Sequence, residues 1–159
     1  MIEIKAPGAY DVYLNKPSVF LAGSIEMGVA EDWQAKVSAA LSVMDVLVLN
    51  PRRDNWDSGW AQTIDNPPFR EQVEWELSAL DAADVILMYF DPATKSPITL
   101  LELGIHAAAN PEKLVVCCPH GFWRKGNVDI VCNKYGVRQT ETLDGLIQQT
   151  VQRLRGGAA

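Results

Sequence analysis

Four apolar runs of strand length divide the chain, at residues 18–22, 45–49, 84–90 and 113–118. Nearly continuous apolar strands are typical of a parallel sheet that is covered on both faces. The segments between the runs carry apolar residues at helical spacing. The pattern therefore predicts an α/β fold, a flavodoxin- or Rossmann-like three-layer sandwich with about five parallel strands and helices on both faces.

The helices are predicted from apolar spacing and from the residues at their ends. Glu31 and Asp32 stand before the first helix, where acidic side chains are favourable. The second helix, over residues 69–82, is predicted to direct one apolar row inward: Val73, Leu77 and Leu80. The later segments predict a helix running to residue 109, a short helix at 128–134, a weak strand at 137–139 and a final helix at 143–154.

Two segments show neither the apolar pattern of a strand nor that of a helix. Residues 1–17 contain Pro7, Gly8 and Pro17 and are predicted to form a peripheral arm or edge hairpin outside the core. Residues 50–68 form a long aperiodic connection, and such a connection in a compact domain is usually functional or disordered. Its Arg, Asp, Asn and Trp content favours function, while a solvated loop pinned by Trp56 and Trp60 is the other interpretation.

Length and charge narrow the class of protein. The 159 residues suit a single domain, 1–159, and the net charge of −6 with scattered Lys and Arg disfavours a nucleic-acid partner. No run has the length of a membrane span and the N-terminus lacks a signal-peptide pattern, so we expect a cytoplasmic protein without membrane contact. The three cysteines have no metal or redox spacing and are expected to be structural thiols.

The segments that follow the predicted strands are expected to converge. In a parallel sheet of this kind, the carboxyl ends of the strands meet at one edge, where ligands bind. This places Gly23 and Ser24, the loop of residues 50–60, the segment from Asp91 to Glu102 and residues 119–127 around one crevice. We take that crevice as the candidate site.

Glu102 has two interpretations from the sequence alone. Thr99-Leu100-Leu101-Glu102 matches the S/T-x-x-E capping box, and Ser96-Pro97 equally suits a cap followed by proline at the first helical position. The same position suits a nucleophile, because a helix N-terminus favours an ionised carboxylate. The position of Glu102 in the sequence therefore does not distinguish a capping residue from a nucleophile.

Other catalytic patterns are absent from the sequence. His106 lies four residues after Glu102, but no HExxH or similar array accompanies it, so a packed histidine is expected and no metal site is predicted. There is no GxGxxG, no P-loop and no Ser-His-Asp set with supporting spacing.

Four short segments together resemble the nucleoside 2-deoxyribosyltransferases, a family whose relatives include the deoxynucleoside 5'-monophosphate N-glycosidases. They are residues 20–25 (FLAGSI), 76–84 (ELSALDAAD), 102–104 (ELG) and 126–128 (GNV). The resemblance extends over about residues 18–130, with the segments in the family's order.

The resemblance implies roles for particular residues. Glu102 would attack C1' of the deoxyribose, and Glu76, where the family usually has Asp, would help to hold the substrate. Asn127 would reach into the site of a neighbouring subunit, which implies a homo-oligomer with shared sites. Ser96 stands where transferases have an Asp that contacts the sugar hydroxyl and where the monophosphate hydrolases have a Ser that contacts the phosphate.

The chain departs from the family at two places. Phe20 stands where relatives tend to have Tyr, so no phenol oxygen is available there to orient the glutamate. Residues 155–159 contain no aromatic residue of the kind that some transferases fold over the base. Base recognition is therefore assigned to residues 52–56, with Arg53, Asp54 and Trp56 as candidates. The proton for the leaving base is expected from Glu76, Asp91 or Asp54.

The leading functional hypothesis is transfer of a 2-deoxyribosyl group between nucleobases, through a covalent glycosyl-enzyme as in a retaining glycosidase. The expected partners are a deoxynucleoside and a free nucleobase, and no cofactor is required. Hydrolysis of a deoxynucleoside or its 5'-monophosphate is a second hypothesis, kept open by Ser96, Arg52 and Arg53. A nucleotide-binding module without turnover is a third, since fold does not determine function.

Overall fold

The computed structural model describes residues 1–25 and 32–156, which form a six-stranded parallel sheet with helices on both faces. The strands are β1 (Ile2–Lys5), β2 (Ser18–Gly23), β3 (Leu47–Asn50), β4 (Val85–Tyr89), β5 (Leu114–Cys117) and β6 (Arg138–Thr140). The α-helices are α1 (Trp33–Leu41), α2 (Pro67–Ala82), α3 (Pro97–Ala109), α4 (Lys125–Tyr135) and α5 (Leu143–Gly156). The predicted α/β class is confirmed, with six strands rather than about five.

The strand order is β1-β3-β2-β4-β5-β6, and every neighbouring pair is parallel. The two strands at the centre, β2 and β4, pair from Val19 with Val85 to Gly23 with Tyr89. Because the strands run in the same direction, the segments that follow β2, β3, β4 and β5 emerge at one edge. This edge carries the candidate site.

Two apolar cores lie on opposite faces of the sheet. Alternate residues of β2 contribute to both, since Phe20 and Ala22 face α2, α3 and α4 while Val19 and Leu21 face α1 and α5. Full burial of a side chain such as Phe or Leu stabilises the fold by about 1.5–3 kcal/mol. The three cysteines are free and buried in these cores, as expected of structural thiols.

The N-terminal segment differs from the predicted arm or hairpin. Ile2–Lys5 forms an edge strand that pairs in parallel with Leu47–Asn50, and Tyr10 is buried with its ring 5.8 Å from that of Trp75. The strand is short and only partly buried, so its alternation of Ile2 and Ile4 with polar residues is too brief to stand out in the sequence.

Helix α2 begins two residues earlier than predicted and buries a different face. Pro67 and Pro68 form its first turn, where proline is well tolerated. The buried residues are Gln72, Trp75, Ala79 and Leu80, whereas Leu77, expected in the core, is 46% exposed. The predicted inward row was therefore wrong at Leu77, and polar Gln72 faces inward.

The remaining elements follow the predicted order with small shifts of their ends. Asp32 caps α1 by accepting a hydrogen bond from the Ala35 N–H at 3.1 Å, while Glu31 lies outside the described residues. The short helix and weak strand predicted near the C-terminus correspond to α4 and β6. Within the described part of the chain, no helix is both long and apolar enough to cross a bilayer.

Candidate active site

The ends of β2 and β4 meet closely at the predicted edge. Gly23 has φ of +150°, and a Cβ there would overlap the carbonyl oxygen of Tyr89 and lie 2.8 Å from the Trp33 ring. Beyond it, the Ser24 N–H donates to the Tyr89 carbonyl at 3.1 Å. A glycine is thus required for the two strand ends to come together, and this approach places Ser24 beside the turn that follows β4.

Three buried hydroxyl groups form a cluster at this edge, namely those of Ser24, Thr94 and Ser96. Each of these residues is at most 4% exposed. The Oγ atoms of Ser24 and Ser96 are 2.5 Å apart, and Thr94 Oγ1 lies 2.8 Å from each of them. Ser24 Oγ also accepts the Asp91 N–H at 2.9 Å. The cluster joins the end of β2 to the turn between β4 and α3.

Helix α3 starts directly after this cluster. Ser96 has left-handed backbone angles, φ 46° and ψ 53°, and among the described residues it is the one non-glycine with positive φ. That conformation costs about 1–2 kcal/mol in an L-residue. Ser96 makes no side-chain hydrogen bond to cap the helix, and Pro97 is the first helical residue.

Glu102 is not the second member of a capping box. Because α3 begins at Pro97, Thr99 lies inside its first turn and Glu102 in the second turn. The capping interpretation of Thr99 and Glu102 was therefore wrong, and so was the expectation that the helix end keeps Glu102 ionised. Glu102 is 8% exposed, and its burial, together with a smaller effect of the charge of Glu76, raises its pKa to about 8.

Glu76 on α2 is the second carboxyl group of the site. Burial raises its pKa, although a hydrogen bond from Gln72 opposes the shift. Gln72 Nε2 donates to Glu76 Oε1 at 2.8 Å and to the carbonyl of Pro51 at 2.9 Å. The amide thereby ties Glu76 to the loop that follows β3.

Gln72 was missed in the sequence because it lies on the face of α2 that apolar spacing assigns to solvent. Its spacing from Glu76, four residues along a helix, is the signal that was available. Asn50 was also not singled out as an individual residue. It is buried at the end of β3, where its Nδ2 donates to Glu3 Oε1 at 2.7 Å and its Oδ1 accepts the Arg52 N–H at 2.9 Å.

Asp91 shapes the turn after β4. Its Oδ1 accepts the Ala93 N–H at 2.8 Å, and its backbone carbonyl accepts from Thr94 Oγ1 at 2.9 Å. The carboxylate is therefore already engaged in its own turn, an arrangement known as an Asx turn.

The predicted base-recognition residues are held by the loop of residues 51–66. Arg53 donates to Asn55 at 2.8 Å and to Glu71 at 3.1 Å, and its guanidinium lies 5.1 Å from the Trp60 ring centre. Asp54 is exposed and pairs with Lys5, while the rings of Trp56 and Trp60 are 5.2 Å apart.

Arg52, rather than Arg53, contacts the start of α1. Its guanidinium donates to Gln34 Oε1 at 3.2 Å and lies 3.6 Å from Asp32, both at the start of α1. Trp33 in the same turn donates to the Ser24 carbonyl at 2.9 Å. Arg52 is thus linked through α1 to the strand end that carries the hydroxyl cluster.

Asn127 lies in the first turn of α4, exposed in a groove of about 300 Å³ between α3 and α4. The groove lining comprises Leu100, Leu103, Gly104, Trp123, Arg124, Asn127, Val128 and Val131. Glu102 is not part of it. The structure therefore brings Gly23, Ser24, Ser96 and Asp91 together and Glu76 near Glu102, and leaves Asn127 on a separate surface.

His106 is buried on α3, and burial lowers its pKa. This agrees with the packed histidine expected from the sequence. Within residues 1–25 and 32–156, no three His, Cys, Asp or Glu side chains are grouped so as to hold a metal ion.

The fold and the pair of carboxyl groups, Glu102 and Glu76, define a Rossmann-like α/β protein with its candidate site at the carboxyl edge of the sheet. The model of a family described as nucleoside 2-deoxyribosyltransferase-like matches residues 16–122, more than half of the chain. The chain belongs to this family. Membership indicates a glycosyl-transfer or related enzyme with nucleoside-type substrates, and Ser24, Glu76, Ser96 and Glu102 lie within the matched residues.

Solved structures support the fold. A conserved protein from Enterococcus faecalis V583 is 12% identical to this chain, with a TM-score of 0.61, over 87% of this chain and 99% of that one. At this identity the similarity shows the α/β architecture alone. A search of the curated proteins finds no match.

Proposed function

We propose that this protein transfers a 2-deoxyribosyl group between nucleobases, with Glu102 as the nucleophile. The observation that carries the proposal is the pair of carboxyl groups of buried Glu102 and half-buried Glu76, both with a raised pKa. Two neighbouring carboxylates repel each other, so the pair retains one proton near neutral pH. One then serves as nucleophile and the other as acid.

The first displacement forms the glycosyl-enzyme. The ionised carboxylate of Glu102 bonds to C1' of the deoxyribose while the bond from C1' to the base nitrogen breaks, through an oxocarbenium-like transition state. The departing base takes the bond electrons and receives the proton held by Glu76. Asp91 and Asp54 suit this acid role less, because the first caps its own turn and the second is exposed and paired with Lys5.

The second displacement reverses the first. A nitrogen of the incoming base bonds to C1', the ester bond to Glu102 breaks, and Glu76 takes up the proton that the incoming base loses. Two displacements retain the configuration at C1'. The proposal needs no metal or organic cofactor.

The hydroxyl cluster favours a deoxynucleoside over its 5'-monophosphate. Three hydroxyl hydrogens are available among Ser24, Thr94 and Ser96, and they are shared by three short contacts within the cluster and a fourth from Thr94 to the Asp91 carbonyl. A phosphate at Ser96 would have to replace one of these hydrogen bonds. The monophosphate hydrolase alternative therefore requires a rearrangement that the nucleoside reaction does not.

A homo-oligomer in which Asn127 enters a neighbouring site is part of the proposal. Ile98, Leu101 and Ile105 form an apolar row on the outer face of α3, and each is between 45% and 61% exposed. Apolar surface of this kind marks interaction sites when it is contiguous. Asn127, in the groove beside α3, is accessible to a second copy.

The test is incubation with deoxyinosine and free adenine, following both products by chromatography. Formation of deoxyadenosine supports transfer, and release of hypoxanthine and deoxyribose without it supports hydrolysis. A parallel reaction with deoxyinosine 5'-monophosphate tests the preference for the unphosphorylated substrate. Binding of these compounds without turnover would contradict the proposal in favour of a binding module.

A further inference from the structure

Thr94 lies at the centre of the hydroxyl cluster, and its side chain is engaged on three sides. Its Oγ1 contacts the Oγ atoms of Ser24 and Ser96, each at 2.8 Å, and the Asp91 carbonyl at 2.9 Å. Its backbone N–H also donates to the same carbonyl at 3.0 Å. Thr94 thus closes the turn after β4 and connects it to β2.

The turn needs such a connection because Ser96 adopts an unfavourable backbone conformation. Left-handed angles are uncommon for an L-residue, and a residue that precedes proline is further restricted toward extended angles. Ser96 meets both conditions, since it is left-handed and precedes Pro97. Its hydroxyl group makes hydrogen bonds with those of Ser24 and Thr94.

The backbone angles of Ser96 set the direction in which α3 leaves the turn. Glu102 lies six residues further along the same helix, so a change at Ser96 displaces its carboxyl group. Nucleophilic attack depends strongly on such placement, because a displacement of 1 Å is enough to slow a reaction about 100-fold.

We infer that Thr94 is a positioning residue of this enzyme: its hydroxyl holds Ser96 in the left-handed conformation that places Glu102 for attack on the sugar. This inference rests on the proposed function. Thr94 acts through Ser96 and the start of α3 and does not itself touch the substrate.

The test compares Thr94→Val, which keeps the branched shape and removes the hydroxyl, with Thr94→Ser, which keeps the hydroxyl. Thr94→Val is expected to lower kcat by about 10- to 100-fold with KM within about threefold of wild type. Thr94→Ser is expected to restore kcat to within about threefold of wild type. Rates are taken below the unfolding temperature and scaled to folded protein.

Thr150→Val is the matched control. Thr150 is buried on α5 and its hydroxyl has no hydrogen-bond partner among the described residues, so this variant is expected to keep wild-type kcat. If Thr94→Val does not fold, Thr94→Cys replaces it, because a thiol is a weaker hydrogen-bond donor than a hydroxyl in the same place. The loss of kcat expected for Thr94→Cys is smaller than that for Thr94→Val.

A second measurement does not depend on turnover. The Glu102 carboxyl carbon is followed by NMR across a pH titration and assigned with Glu102→Gln. In Thr94→Val the raised pKa of Glu102 is expected to fall toward its ordinary value as the carboxyl group becomes more hydrated, and in Thr94→Ser it is expected to stay raised.

The outcomes separate this inference from the proposed function. If wild type turns over deoxynucleosides and folded Thr94→Val keeps kcat within about twofold, or Thr94→Ser fails to restore it, the positioning role is overturned. If wild type turns over none, the proposed function fails, and the titration then decides whether Thr94 controls the environment of Glu102. An unchanged titration in Thr94→Val overturns the inference in that case.

Discussion

The charge of Glu76 on α2 acts on the buried carboxyl group of Glu102 on α3 and raises the pKa of Glu102. Burial also raises the pKa of each of the two carboxyl groups. The protons of such a pair belong to the pair rather than to either residue. Since Glu102 titrates at about 8 beside ionised Glu76, the singly protonated pair at rest carries its proton on Glu102. In the proposed reaction this proton passes to Glu76 when substrate binds, which leaves Glu102 ionised as the nucleophile and Glu76 protonated as the acid.

We therefore predict a bell-shaped dependence of kcat/KM on pH. At low pH both carboxyl groups are protonated and there is no nucleophile. As pH rises past about 8, where Glu102 titrates beside ionised Glu76, the pair loses its last proton and none remains for the leaving base. Initial rates between pH 4.5 and 9.5 measure both limbs.

Glu76→Gln is predicted to change the shape of that profile. Removing the neighbouring charge lowers the pKa of Glu102, so activity is expected to rise at lower pH and then remain level, at a reduced rate because the acid is lost. Glu74→Gln, at an exposed position of the same helix, is expected to leave the bell unchanged. A wild-type rate that keeps rising above pH 8 would show that Glu76 does not supply the proton.

Glu102→Gln is predicted to abolish turnover and to stabilise the fold at alkaline pH. The pKa of Glu102 is raised in the folded state, so its contribution to stability is full below about pH 4.5 and is lost as pH rises to about 8. A shift from 4.5 to about 8 corresponds to at most about 5 kcal/mol. Glutamine has no such charge and retains the neutral form at every pH.

Urea denaturation at pH 5, 6.5 and 8 measures this effect. The free energy of unfolding of Glu102→Gln relative to wild type is expected to increase across the series. Glu74→Gln again serves as the control, with a constant difference. A Glu102→Gln difference that does not change with pH would contradict the raised pKa, whereas retained turnover would contradict the nucleophile assignment.

The parallel sheet was predictable because its central strands are apolar along their whole length. Residues 18–22 and 84–90 supply side chains to both cores, so neither helical nor alternating spacing competes with a buried strand. Strand β1 was not predictable from the sequence. Its pairing with β3 depends on residues more than 40 positions away, and its own pattern is only four residues long. Edge strands of this length carry little signal.

The candidate site was predictable in its location and only partly in its contacts. Convergence at the carboxyl edge follows from parallel topology, and this brought Ser24 and Ser96 into one region. The left-handed turn at Ser96 was not foreseen, because one of the hydroxyl groups that contact Ser96 belongs to Ser24, 72 positions earlier. The inward position of Gln72 was missed for a similar reason, since its partners are Glu76 and a backbone carbonyl.

Gly23→Ala is predicted to destabilise the fold by several kcal/mol. A methyl group at this position would overlap the Tyr89 carbonyl oxygen, and φ of +150° is unfavourable for any L side chain. Gly104→Ala is the control, because nothing lies within 4 Å of a Cβ there and alanine favours a helix by about 1 kcal/mol. Equal unfolding midpoints in urea for the two variants would contradict the close approach of β2 and β4.

The last prediction concerns Asn127 and a neighbouring subunit. If Asn127 completes the site of a partner, Glu102→Gln and Asn127→Ala are each strongly impaired alone, because every site lacks one group. A mixed dimer contains one site with both groups, the Glu102 of one subunit and the Asn127 of the other. Co-expression with two affinity tags isolates such dimers, and they are expected to show about half of the wild-type activity.

Mixed dimers of Glu102→Gln with the double variant Glu102→Gln/Asn127→Ala are the control and are expected to be inactive, since no subunit supplies the nucleophile. Recovery of activity in the first mixture alone would establish that the site is shared. Mixed dimers that remain inactive would place the effect of Asn127 within its own subunit. If the two differently tagged variants do not co-purify through both affinity steps, the oligomer itself is contradicted. Any effect of Asn127 would then arise within its own subunit, from the groove between α3 and α4.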